Sequence, residues 1–232
     1  MRIMAIDTAS KSCSVAVTQN KSLLALQTIN SNQTHTRHLM GMINNVLELA
    51  SVKIYDIDGF AVTTGPGTFT GMRIGLSSVK GLAVALNKPV TGVSSLDVLA
   101  IQTACYSCLI YSMMDARRGE VYCARYRLKR CGLKTDALTK ETSEMVLSPD
   151  KALDGIYEPC MFVGEGSYLY QKTISDRLGD IAFFASQSQN TASAITVAHL
   201  GLNQFENGIS SNMEAIVPQY IRMSDAEINA KT

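Results

Sequence analysis

Apolar and polar positions along this chain follow two rhythms, a period near two and a period near 3.6, and the rhythms take turns. Arg2 to Asp7, Cys13 to Thr18 and Leu23 to Ile29 read as three successive strands; in the second, Cys13, Val15 and Val17 face one way and Ser14 and Ala16 the other. A helix is expected from about Thr36 to Ala50, then a strand from Gly59 to Thr64, a glycine-rich loop, and a long helix from Thr70 to Leu86. Asn87-Lys88-Pro89 stops that helix, because proline cannot continue it. A strand at Val90 to Gly92 and a helix at Leu96 to Thr103 follow. Further on the pattern predicts strands at Leu109 to Met114, Glu120 to Leu128 and Met161 to Val163. It also predicts a helix start at Ser148-Pro149-Asp150 and helices at Ser167 to Arg177 and Thr191 to Glu206.

Three strands followed by strand–helix repeats is the order of a ribonuclease H-like α/β half. A boundary is therefore expected near residue 104, with residues 1–104 forming an N-terminal subdomain and residues 105–232 a smaller C-terminal one.

At about 100° per residue, the helix after Thr36 gathers Leu39, Ile43, Val46 and Ala50 on one stripe, with Met40, Met42 and Leu47 on its shoulders. The next helix carries only two charges, Arg73 and Lys80, seven residues apart; Gly71, Ile74, Gly75, Ser78, Gly81, Leu82 and Ala85 fill the rest. Each glycine in a helix costs roughly 0.5–1 kcal/mol relative to alanine. The cost fits a place where backbones come close, either helix against its own sheet or helix against a second protein, and the second is expected here. A phosphate cradle fits less well. Gly65-Pro66-Gly67-Thr68-Phe69-Thr70-Gly71 has neither the spacing of a P-loop nor that of a dinucleotide fold, and Pro66 has no N–H to offer.

Composition changes little. The chain has 232 residues, 46% hydrophobic and 18% charged, with 21 basic against 20 acidic side chains, so no global charge draws it to nucleic acid or membrane. No apolar run approaches the roughly 18 residues of a membrane span and none at the start resembles a secretory signal, so a cytoplasmic protein is expected. Its six cysteines are then expected as thiols. Cys105 and Cys108 have redox or zinc-knuckle spacing but no second pair, and are expected to be inert. His35 and His38 lack a third ligand, so no metal is expected; His35 is assigned to packing at the helix start and His199 to a structural place in a later helix. Arg117, Arg118, Arg125, Arg127, Lys129 and Arg130 form a basic cluster that suits a solvated edge strand or, less simply, RNA phosphates.

Several motifs in order carry a resemblance: MAIDTASKSCSVAV at the N-terminus, QTHTRHLMGMI before the first helix, GPGTFTGMRIGLSSVKGLA, DARRGEVYCARY, VGEG and VPQYIR. Together they are similar to the TsaB (YeaZ) family, dimerisation subunits of the bacterial complex that places threonylcarbamoyl on the adenosine next to the tRNA anticodon. The resemblance implies an actin-like ATPase superfamily fold with a degenerate second subdomain. It implies homodimerisation in isolation, a preferred heterodimer with the catalytic paralogue TsaD, recruitment of the ATPase TsaE, and tRNA met through the complex. The two N-terminal helices become the expected interface, through Leu39, Met42, Ile43, Val46, Gly71, Arg73, Ile74, Gly75 and Ser78. Asp7 and Thr8 stand where actin-like ATPases place their first phosphate hairpin, and Asp115 where they place a second carboxylate. With no adenosine motif beside them, they are read as remnants, with no cofactor. A non-catalytic subunit is thus expected; the alternative is an enzyme, an actin-like ATPase or kinase or an M22-type metallopeptidase.

Overall fold

Alternation in the first strands sends apolar side chains to both faces of one sheet, so both faces need a cover. The computed structural model describes residues 1–31, 34–103, 105, 107–129, 137–209 and 216–222. Strands β1 (Arg2–Asp7), β2 (Ser12–Gln19) and β3 (Ser22–Asn30) form the expected meander, followed by α1 (Leu39–Ala50), β4 (Gly59–Gly65), α2 (Phe69–Leu86), β5 (Val90–Ser94) and α3 (Ser95–Gln102). The sheet order is β3-β2-β1-β4-β5, with β1 antiparallel to β2 and parallel to β4. β6 (Leu109–Arg117), β7 (Glu120–Lys129), β8 (Ala137–Lys140), β9 (Met145–Leu147), α4 (Pro149–Ala152), β10 (Cys160–Val163), α5 (Glu165–Leu169), α6 (Gln171–Leu178), β11 (Ala182–Phe184) and α7 (Ala194–Glu206) complete the described elements.

The chain divides into two units, Met1–Val98 with Thr191–Pro218, and Leu99–Asn190 with the segment from Gln219. This differs from the contiguous division expected at residue 104, a position that itself lies outside the described residues. The physical reason is α7. Its inner residues Ala194, Val197, Ala198 and Leu202 pack with Ile3, Ala5, Ala16 and Ala61, the face of the first sheet that α1 and α2 do not cover. Ser14 Oγ accepts the backbone N–H of Ala194 at 3.1 Å and anchors the helix start. On the other face, Met4, Ile6, Val15 and Val62 meet α1 and α2.

In the second unit the sheet order is β11-β10-β6-β7-β8, with β9 also on β7. Tyr111 lies fully buried in its core, its hydroxyl donating to Ala152 O at 2.7 Å. The helix expected from Thr36 begins instead as a 3-10 turn, His35–Arg37, before α1. The helix expected at Ser167 to Arg177 is two helices, α5 and α6, broken at Tyr170. No helix among the described residues is long and apolar enough to cross a membrane.

Candidate functional site

Asp7 ends β1 and is fully buried. Its Oδ1 accepts the Thr63 hydroxyl at 2.7 Å and the Ala9 N–H at 3.3 Å. Thr8 Oγ1 donates to Gly71 O at 2.8 Å, and Thr68 N–H donates to Ala9 O at 2.7 Å. The turn after β1 is therefore filled by the start of the chain's own α2. The glycines make the fit: a Cβ on Gly71 would stand 2.1 Å from Thr8 O, and one on Gly75 2.3 Å from Thr8 Oγ1. Two carbonyl oxygens, of Ala9 and Gly71, are engaged in this seam, a poor setting for phosphate oxygens, which need donors.

Asp115 belongs to the second unit, where its Oδ1 accepts the Arg117 N–H at 2.8 Å. It shapes the β6–β7 hairpin, whose Arg117, Arg118 and Gly119 all take positive φ. Of the basic cluster, Arg125 reaches Ala152 O and Asp154 O and lies over the Tyr111 ring, while Arg127 pairs with Glu141 and Glu158. The Arg127 guanidinium holds the Glu158 carboxyl below its ordinary value. These two arginines face carboxylates and carbonyls of their own unit. Arg117, Arg118 and Lys129 are exposed, and Arg130 lies outside the described residues.

His35 packs at the helix start as expected, its Nε2 within 2.9 Å of Ser10 O, and His199 Nε2 meets Lys21 O at 3.1 Å. Among the described residues no three His, Cys, Asp or Glu side chains stand together as a metal site. Replacing His35 and His38 together with alanine is expected to leave the metal content of the purified protein unchanged by elemental analysis. The fold should lose only about 1 kcal/mol for the lost Ser10 contact. Stoichiometric zinc or iron that vanishes in the double variant would contradict this.

The helix faces require a correction. Leu39, Met42, Ile43 and Val46, expected at an interface, are 1%, 2%, 1% and 0% exposed and pack into the core of their own unit. Gly71 and Gly75 likewise face Thr8. Of the expected set, Arg73 is exposed, its guanidinium 3.7 Å from the Phe69 ring centroid, and Ile74 and Ser78 are half-buried. What α1 and α2 present outward is a different stripe. Met40, Gly41 and Asn44 are exposed on α1, where Leu49 is also exposed but on the opposite edge, beside Leu26 and Gln27 of β3; Ser77, Gly81, Val84 and Ala85 are exposed on α2. Sequence periodicity could have separated the two stripes, since 77, 81, 84 and 85 sit opposite 72, 75, 76, 79 and 83. Between the helices and the following turn lies a groove of about 410 Å³ lined by Met40, Asn44, Leu47, Tyr55 and Leu82. Gly41 and Gly81 have open space where a Cβ would stand.

Residues 23–230 match the family model described as TsaD, tRNA N6-adenosine threonylcarbamoyltransferase. The chain is 28% identical to the tRNA threonylcarbamoyladenosine biosynthesis protein TsaB of Bacillus subtilis, covering 98% of this chain and 96% of that one. The TsaB of Buchnera aphidicola is 35% identical over 60% of this chain and 68% of its own length. Among solved structures, YeaZ from Pseudomonas aeruginosa superimposes with a TM-score of 0.77 at 27% identity, over 94% of this chain and 99% of that one. An Arthrobacter polyphosphate/ATP-glucomannokinase, at a TM-score of 0.51 and 12% identity over 88% of this chain and 99% of that one, shares the actin-like fold alone.

Proposed function

Because the chain belongs to the TsaD family, and within it to the TsaB (YeaZ) proteins of tRNA threonylcarbamoyladenosine biosynthesis, we propose that it serves this tRNA modification as a non-catalytic partner of a TsaD-type subunit. The modified base is the adenosine next to the anticodon, met through the complex. One observation carries the non-catalytic half of the reading. The turn after β1, where an actin-like ATPase would hold phosphate, is occupied by Thr8–Gly71 and Ala9–Thr68 hydrogen bonds from within the chain. Opening it for a nucleotide means breaking those bonds and separating α2 from β1.

The partner half rests on the outward stripe of α1 and α2. Exposed glycines at 41 and 81 let a neighbouring helix approach, and Met40 and Val84, at 49% and 64% exposure, offer apolar area to bury. A second copy fills this surface when the chain is alone and a TsaD-type subunit displaces it; the ATPase TsaE joins afterwards.

Calorimetry of the isolated chain with ATP and magnesium is expected to detect no binding in the low-micromolar range, which corresponds to about 8 kcal/mol. Threonylcarbamoyl transfer to tRNA should be absent with the chain alone and should rise when it is added to a TsaD-type subunit. Tight ATP binding or hydrolysis by the chain alone would support the alternative enzyme reading and overturn this one.

A further inference from the structure

Five cysteines lie among the described residues, and they divide sharply by environment. Cys13, Cys123 and Cys160 are 3%, 0% and 0% exposed. Cys105 and Cys108 are half-buried, and their Sγ atoms touch at 2.7 Å. Described residues on either side make their own hydrogen bonds. On the α3 side Thr103 Oγ1 donates to Ala100 O at 2.8 Å and Gln102 Nε2 reaches Gln189 O; on the β6 side Leu109 N–H donates to Pro159 O at 3.1 Å. With the two sulfurs already in contact, joining them needs no strand to move.

We propose that Cys105 and Cys108 form a reversible dithiol–disulfide site, oxidised by a low-molecular-weight disulfide. The geometry revises the expectation of inert thiols. The thiolate of either cysteine attacks one sulfur of the oxidant RSSR, giving a mixed disulfide between that cysteine and R and releasing RS⁻. The other cysteine then gives up its proton and attacks the protein sulfur of that mixed disulfide, expelling the second RS⁻. Two electrons pass from the protein to the oxidant, and the two thiol protons end on two RSH. Burial, then the hydrogen bond with Cys105, push the Cys108 thiol up to about 12. Cys160 is the nearby competitor, since its register partner on β6 is Leu109, next to Cys108, but it is sealed from solvent.

The test equilibrates the purified chain in buffers of reduced and oxidised glutathione, blocks free thiols with an alkylating reagent, and reads the intact mass. In oxidising buffer the wild type should lose about 2 Da and two alkylation sites, both recovered with dithiothreitol. Cys160→Ser should behave as wild type. Cys105→Ser and Cys108→Ser should each abolish the loss and instead trap a glutathione adduct on the remaining thiol. A wild type that carries only adducts or free thiols overturns the proposal. So does a 2-Da loss that survives Cys105→Ser, which would mean a bridge between other sulfurs.

Discussion

Replacement of Gly75 by leucine should sharply destabilise the first unit. A Cβ at that position would already stand 2.3 Å from Thr8 Oγ1, and the same hydroxyl holds Gly71 O at 2.8 Å. Overpacking a fitted seam commonly costs about 1–3 kcal/mol, and the displaced hydrogen bond adds about 1 kcal/mol. Leucine returns at most about 1 kcal/mol through its better helix propensity. A net loss of roughly 1–3 kcal/mol is a large fraction of the 5–15 kcal/mol that holds a typical domain together. Urea unfolding followed by far-UV circular dichroism should show the midpoint fall, and Gly75→Ala should fall in the same direction, since the conflict begins at Cβ. A Gly75→Leu protein as stable as wild type but impaired in association would instead place Gly75 on the outside of its helix, at an interface.

Gly81→Arg should do the opposite. Position 81 is exposed, with open space where a Cβ would stand, so the fold should tolerate the change within about 0.5 kcal/mol and gain some helix propensity. If the outward stripe is the docking surface, the long charged side chain forces a neighbouring helix beyond the usual interaxial distance of about 8–10 Å. Association should weaken at least about ten-fold, equivalent to about 1.4 kcal/mol. Sedimentation should shift toward monomer, and capture of a TsaD-type subunit should fall in parallel. Unchanged self-association together with unchanged capture would remove α1 and α2 from the interface.

Periodicity correctly marks the apolar stripe of α1, and Leu39, Met42, Ile43 and Val46 are indeed covered. What a period cannot say is by what. A stripe that faces the chain's own sheet and one that faces another protein have the same spacing, so a stripe that reads as partner-facing belongs to the core. The glycines of α2 pose the same ambiguity, and only the position of Thr8 resolves it. The break between α5 and α6 falls at Tyr170, with neither proline nor glycine at that point to announce it. Strands β8, β9 and β11 are three or four residues long, too short for alternation to register. The Asp7–Thr8 turn is legible as a position, but its filling by α2 depends on a contact across some sixty residues, |i−j| = 63 for Thr8 and Gly71.

The return of α7 to the first sheet has a consequence during synthesis. Residues up to Val98 emerge with one face of their sheet ready for α1 and α2, while Ile3, Ala5, Ala16 and Ala61 on the other face wait for a helix that ends at Glu206. Translation at roughly 5–20 residues per second puts that wait on the order of 5 to 20 s, during which Leu99–Asn190, the main part of the second unit, leaves the ribosome first. The nascent chain therefore carries an uncovered apolar sheet face from the emergence of Val98 until Glu206 has been added. The half that is made first stays open until nearly all of the other has been made.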